Sequence, residues 1–203
     1  MEELAAIDSS VVILLFYIAA AYFAGSFSPS IMLGKLNGID IRTKGSGNAG
    51  TTNVLRTLGK KAAAITLAVD VCKGFAAVFL AKMLFGAAFA LLCGIAVICG
   101  HIWPAVHGFR GGKGVATGLG VLLAFNAVIG GLALAVAAAV MLVTKRVSVG
   151  ALTAAAAFPA MVFWMEPVYF APALAIAVVV WIKHRQNLVR LVRGEEPKIR
   201  FKP

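Results

Sequence analysis

Residues 114–143 read GVATGLGVLLAFNAVIGGLALAVAAAVMLV, thirty positions without a charged side chain. As one α-helix this stretch would run about 45 Å at 1.5 Å per residue. A bilayer's hydrocarbon core is only about 30 Å thick. Asn126, Gly130 and Gly131 interrupt the run, but as two helices each half is short for a crossing. Length leaves both readings open, so the charges on either side must decide.

Working outward, further apolar stretches lie at 11–34, 61–85, 87–107, 149–165 and 168–184. Each approaches the roughly 20 residues that a spanning helix needs. The first follows Glu2, Glu3 and Asp8, an acidic leader unlike the basic start of a secretory signal, and is read as a retained span. With the N-terminus outside and 114–143 crossing twice, 17 of the 19 Lys and Arg residues fall on the inner face. Glu2, Glu3, Asp8 and Glu166 then fall outside. A single crossing would put Lys145, Arg146 and the basic C-terminal segment outside, against the positive-inside bias. The expected architecture is therefore all-α: one transmembrane domain over 1–203, seven transmembrane helices, N-terminus outside and C-terminus cytoplasmic.

Composition agrees. Of 203 residues, 61% are hydrophobic and mean hydropathy is +0.94, above the roughly 45–50% apolar content of soluble domains. Small residues run through every span and allow close helix approach. The formal charge of +11 is spread between apolar runs, without the interleaved aromatics of a single-strand binder, so no nucleic acid partner is expected. Cys72, Cys93 and Cys99 sit inside apolar runs and read as core residues. His and acidic residues show no metal-ligand spacing. Asp70 and Lys73, one helical turn apart inside a span, read as a structural ion pair. His101 and Trp103-Pro104 read as helix-end packing. The charged stretch after Gly194, which contains Pro197, is expected to fray.

Three polar segments share the inner face under this topology. The first runs from Lys44 through Gly45, Ser46, Gly47, Asn48, Gly50, Thr51, Thr52 and Asn53 to Arg56. Its glycines match G-x-G-x-x-G, but no βαβ unit surrounds them, so a dinucleotide site is rejected. Glycines still let backbone N–H groups converge on an anion. A helix starting near Thr51 would aim its N-terminus there, and Arg56 would add a bidentate partner. A plain flexible loop would also use such residues. The clustering of donors with basic flanks favours a phosphate cradle. The second segment, Gly108 to Gly114, is not a Walker loop, since His107 and Val115 stand where that motif needs Gly and Ser or Thr. Lys113 between glycines suits an anion, or a positive-inside anchor. In the third, His184, Asn187 and Arg190 fall roughly on one face if the helix continues. A basic amphipathic helix on anionic lipid would look similar.

Taken together, these motifs resemble the membrane acyl-phosphate glycerol-3-phosphate acyltransferases of the PlsY type. The resemblance runs through the glycine loop with Arg56, Asp70-x-x-Lys73-Gly74, Gly100-His101-x-x-Pro104, Gly111 to Thr117, and the tail around His184, Asn187, Arg190 and Gly194-x-Glu196. It implies acyl transfer from acyl phosphate to the sn-1 hydroxyl of glycerol 3-phosphate, giving lysophosphatidic acid and phosphate. This is the first acylation of phospholipid synthesis. It implies Gly45, Ser46, Gly47, Asn48, Gly50, Thr52 and Asn53 as the acyl-phosphate loop. Arg56, Lys113, Ser148, His184 and Asn187 become glycerol 3-phosphate ligands, with His184, Lys113 and Asn187 at the reacting centre. It further implies no cofactor and no metal, membrane lipid as surroundings, and a functional link to an enzyme producing acyl phosphate. The setting would be the bacterial inner (plasma) membrane, multi-pass, with the active site facing the cytoplasm. His184 is the one inner-face residue to nominate as a base, and a substrate phosphate oxygen is expected to take the hydroxyl proton instead. The competing class is an anion transporter or channel, whose site would lie near the midplane between repeats. A structural membrane subunit would leave the glycine loop unexplained.

Overall fold

A computed structural model of the chain describes residues 9–199. The acidic leader, on which the outside placement of the N-terminus draws, lies outside the described residues, as do Arg200 and Lys202. Among the described residues the chain is all-helical. The α-helices are α1 (Ser9–Ser26), α2 (Pro29–Leu36), α3 (Thr51–Thr57), α4 (Lys60–Phe85), α5 (Ala87–Ile102), α6 (Val115–Phe125), α7 (Ala127–Thr144), α8 (Val147–Met165), α9 (Phe170–Lys183) and α10 (Arg185–Val192). Five segments are long and apolar enough to cross a membrane: Val11–Leu36, Lys60–Phe85, Ala87–His107, Ala127–Thr144 and Val147–Met165. A sixth candidate is Pro167–Lys183 together with Arg185–Val192, bent by 57°. Large apolar side chains such as Phe16, Leu80 and Trp164 stand exposed, as lipid-facing residues do.

The decisive stretch breaks at Asn126. This residue is extended (φ −148°, ψ 107°), and its Oδ1 accepts from the amides of Val128 at 3.1 Å and Ile129 at 3.2 Å. An asparagine N-cap satisfies first-turn donors that would otherwise be orphaned. Gly130 and Gly131, also named as breaks, lie inside α7. The run 11–34, expected as one helix, is interrupted at Phe27 and Ser28. Proline disfavours helical geometry in the residue before it, and Ser28 caps α2 with Pro29 at the first position. The helix within 87–107 ends at Ile102, ahead of Pro104.

The chain forms two compact units, Met1–Phe125 and Asn126–Pro203. In the first, α4 packs on α5 and α6, and α1 on α5. The crossings are close. A Cβ added at Gly100 would overlap the carbonyl oxygen of Tyr22, and one at Gly120 that of Val71. The loop between α2 and α4 has its own apolar centre of Ile31, Ile41, Ala49, Val54 and Ala63. Burying an Ile or Val side chain is worth about 1.5–3 kcal/mol, so this segment is folded rather than slack. Lys82, at the end of α4, donates to the Phe125 carbonyl at 2.8 Å. In the second unit α7 packs on α8 and α8 on α9. There Asn126 Nδ2 donates to Glu166 Oε1 at 3.1 Å.

Candidate active site

The glycine loop is shaped by Asn53, which is 1% exposed. Its two amide hydrogens go to the carbonyls of Ile41 (2.9 Å) and Lys44 (3.0 Å), and its Oδ1 accepts from the Ser46 amide at 2.8 Å. Gly45 (φ +58°) and Gly47 (φ +70°) take left-handed turns around it, and a Cβ at Gly45 would overlap Asn53 Oδ1. Asn53 is expected as a donor to phosphate. Here its amide is spent on the loop, and so is the Ser46 N–H. Two further amides expected to converge on an anion also turn inward, Gly47 to the Lys44 carbonyl and Gly50 to that of Asn48, each at 3.0 Å. The half-buried Ser46, Asn48 and Thr52 line the same turn, and Arg56 is exposed on α3. Among the described residues, Thr51 Oγ1 is a buried hydroxyl with no hydrogen-bond partner. A buried polar atom left unpaired in this way suits a site completed by ligand.

Asp40 and Arg42 begin the loop as an ion pair at 2.9 Å. The side-chain hydrogen bond from Arg42 lowers the Asp40 pKa to about 2. Arg42 Nη1 also donates to the His107 carbonyl at 3.0 Å, tying the loop to the turn before Gly108. The spacing Asp-x-Arg was the only sequence signal for this tie, and it is too common to single out.

In the second segment the amides of Gly111 and Gly112 donate to the carbonyls of Ile102 (3.3 Å) and His101 (3.1 Å). Lys113 follows, half-buried, just before α6. Asp70 and Lys73 pair at 2.8 Å as expected, and His101 joins them, with Nδ1 3.3 Å from Asp70 Oδ1. His101 is therefore more than helix-end packing.

The third segment departs most from expectation. The helix does not continue through His184, which sits at the bend between α9 and α10. His184 is buried, and Nδ1 lies 2.8 Å from the Val180 carbonyl. A carbonyl only accepts, so this contact places the proton on Nδ1 and makes Nε2 the basic nitrogen of the neutral ring. The tail does not fray where it is described. Gly194 turns it back (φ +73°), and the amides of Glu195 and Glu196 donate to the Arg190 carbonyl. Glu196 is 4% exposed. Its carboxylate accepts from Ser148 Oγ, Asn187 Nδ2 and Arg190 Nε, each at 2.7 Å. Burial raises its pKa, but these hydrogen bonds outweigh that and hold the carboxyl below its ordinary value. Ser148 and Asn187, expected to share a ligand, thus share Glu196. With its proton given to Glu196, the Ser148 hydroxyl has lone pairs to offer a donor and no second proton for an acceptor. The motif around the tail contains Glu196, but nothing local in the sequence marks it as the hub.

These features define an integral membrane protein of apolar helices joined by ordered, hydrogen-bonded polar segments rich in glycine and basic residues. The chain belongs to the glycerol-3-phosphate acyltransferase family, whose model matches residues 15–194. A glycerol-3-phosphate acyltransferase of Clostridioides difficile (strain 630) is 47% identical over 187 residues, covering 88% of this chain and 92% of that protein. One from Thermoanaerobacter pseudethanolicus is 44% identical over 182 residues, covering 88% and 92%. The fold matches the crystal structure of PlsY (YgiH), an integral membrane glycerol 3-phosphate acyltransferase. Its glycerol 3-phosphate form superposes with TM-score 0.87 at 34% identity, covering 92% of this chain and 96% of that one. Its lysophosphatidic acid form gives 0.85.

Proposed function

We propose that this chain transfers an acyl group from acyl phosphate to the sn-1 hydroxyl of glycerol 3-phosphate, releasing lysophosphatidic acid and inorganic phosphate. One observation carries most of the weight: the PlsY that this chain resembles across nearly its whole length has been solved in glycerol 3-phosphate and lysophosphatidic acid forms. Those two molecules differ by one acyl group on a glycerol hydroxyl. The hydroxyl oxygen attacks the acyl carbon, the bond from that carbon to the phosphate oxygen breaks, and the hydroxyl proton ends on the departing phosphate. Acyl phosphate is already activated, so fixed cations and correct positioning do most of the work.

In this reading the loop of Gly45, Ser46, Gly47, Asn48, Gly50, Thr52 and Asn53 holds the acyl phosphate, with Asn53 acting as its scaffold. Arg56, Lys113, Ser148, His184 and Asn187 serve glycerol 3-phosphate. Two phosphate anions repel, and the cations of Arg56 and Lys113 offset that repulsion. His184 Nε2 accepts a hydrogen bond from the attacking hydroxyl, while a phosphate oxygen takes the proton. If His184→Ala lost turnover heavily while still binding both substrates, the proton would belong to His184 instead.

The topology is seven crossings, N-terminus outside and C-terminus cytoplasmic. The count of seven takes the short apolar α6 and the bent segment beginning at Pro167 as crossings beside the five segments long enough to span. The polar segments then face the cytoplasm of a bacterial inner membrane, where an enzyme producing acyl phosphate would supply the donor. To test the donor, purified protein is given glycerol 3-phosphate with palmitoyl phosphate, palmitoyl-CoA or palmitoyl-acyl carrier protein. Only palmitoyl phosphate is expected to yield lysophosphatidic acid, and equal yield from either thioester would refute the assignment.

A further inference from the structure

Beneath the turn that carries Lys113 lies a buried cluster of three ionisable side chains that the proposed reaction does not use. Asp70, Lys73 and His101 are 1%, 9% and 7% exposed. Ionisable groups inside a membrane bundle are costly and are retained for pairing or function. The Lys73 ammonium has three donors and no acceptor. It meets Asp70 Oδ1 at 2.8 Å and the carbonyls of Gly25 and Phe27 at 2.9 and 2.8 Å. Two of its donors go to the break between α1 and α2 and the ammonium is ion-paired with Asp70, so Lys73 is committed within the cluster. It also balances the Asp70 charge. The imidazole of His101 is thereby fixed, with Nδ1 3.3 Å from the same carboxylate oxygen.

The far side of that ring meets the turn. A Cβ built on Gly112 would overlap His101 Nε2 and lie 2.9 Å from the backbone oxygen of Ala49, in the glycine loop. Gly112 is thus held between the imidazole and that loop, and its amide is bonded to the His101 carbonyl at 3.1 Å. Lys113 is the next residue, and Gly114 (φ +84°) turns the chain into α6. Shifting the ring would let Gly112 settle towards α5 and would draw the base of the Lys113 side chain away from its place.

We propose that His101, anchored by the Asp70–Lys73 pair, is a positioning residue that sets where Lys113 stands and so tunes affinity for glycerol 3-phosphate. This rests on the reading of Lys113 as a ligand of that substrate. The test is calorimetric binding of glycerol 3-phosphate to detergent-purified protein, for wild type, His101→Asn, Lys113→Ala and the double variant. His101→Asn leaves the Asp70–Lys73 pair intact, so no buried charge is stranded. It is expected to weaken glycerol 3-phosphate binding about tenfold, and to add less than about twofold once Lys113 is already Ala, because coupled residues are non-additive. The KM for palmitoyl phosphate in His101→Asn should move less than the affinity for glycerol 3-phosphate, since the glycine loop keeps its own bonds to Asn53.

Unchanged glycerol 3-phosphate affinity in His101→Asn overturns the proposal. So does a full additive loss in the double variant, or equal weakening toward both substrates, which is what a merely structural histidine would give. Wild-type affinity in Lys113→Ala would instead overturn the reading of Lys113, and this inference with it. If His101→Asn does not fold, the pair of changes Asp70→Asn and Lys73→Met removes the ring's anchor together with both charges. The same cycle against Lys113→Ala then decides.

Discussion

Glu196 takes hydrogen bonds from Ser148, Asn187 and Arg190, three residues separated from it by 48, 9 and 6 positions. No local period in a sequence can announce such a hub, which is why a Pro-containing charged tail reads as loose. Hydrogen bonds to a charged group are worth about 1.5–3 kcal/mol, so Glu196→Gln should lower thermal stability by a comparable amount and make the tail cleavable by protease. The pH dependence has a definite sign. The folded pKa of Glu196 lies below 4.5, so its contribution is present above that value and is lost as pH falls through the depressed folded pKa. Glu196→Gln should flatten this acid limb of the unfolding curve, and an unchanged limb would assign it to another carboxylate. For the two cations proposed to hold substrate, Lys113→Ala and Arg56→Ala should each abolish turnover, or nearly so, while the protein remains inserted and folded. Near-normal turnover in either variant would make that residue a topology signal instead. Lys113 stands between glycines and Arg56 follows the glycine loop by six positions, local patterns that suffice to nominate them and that these two variants test. Asn53 was legible as important but not in its role, since its partners, Ile41 and Lys44, lie back along the loop.

Among the elements, α6 and α7 were separated in the sequence by charge placement, and Asn126, read there only as an interruption, is the N-cap at which the run divides. Gly130 and Gly131 gave the same signal and did not break the helix, since packing outweighs the roughly 1 kcal/mol that an interior glycine costs. The interruption between α1 and α2 was written in Ser28-Pro29, but the apolar composition of 11–34 masked it. What no pattern revealed is that Lys73 accepts the task of capping the carbonyls freed there. Helix crossings depend on glycine at contact points. Gly120→Leu would press a side chain into the Val71 carbonyl and force α6 from α4. Overpacking of this kind costs about 1–3 kcal/mol, occasionally more. A drop in the melting temperature of the purified protein is expected, and a variant melting with wild type would show that the crossing tolerates a wider gap.

For the whole molecule, the proposed topology rests on the positive-inside bias, which acts on loops. Two basic residues, Lys73 and Lys82, lie outside the segments which that topology assigns to the inner face, and the structure gives each a partner: one is buried in an ion pair and the other caps the Phe125 carbonyl. The all-helical membrane class follows from the length of the apolar runs together with composition, while the polar segments owe their form to long-range hydrogen bonds. The measurement that bears most directly on the function is phosphate release by detergent-purified protein supplied with palmitoyl phosphate, with and without glycerol 3-phosphate. Release that requires glycerol 3-phosphate and matches lysophosphatidic acid mole for mole is the expected result. Folded protein that releases no phosphate, or releases it equally without glycerol 3-phosphate, would contradict acyl transfer and point to anion transport or simple hydrolysis.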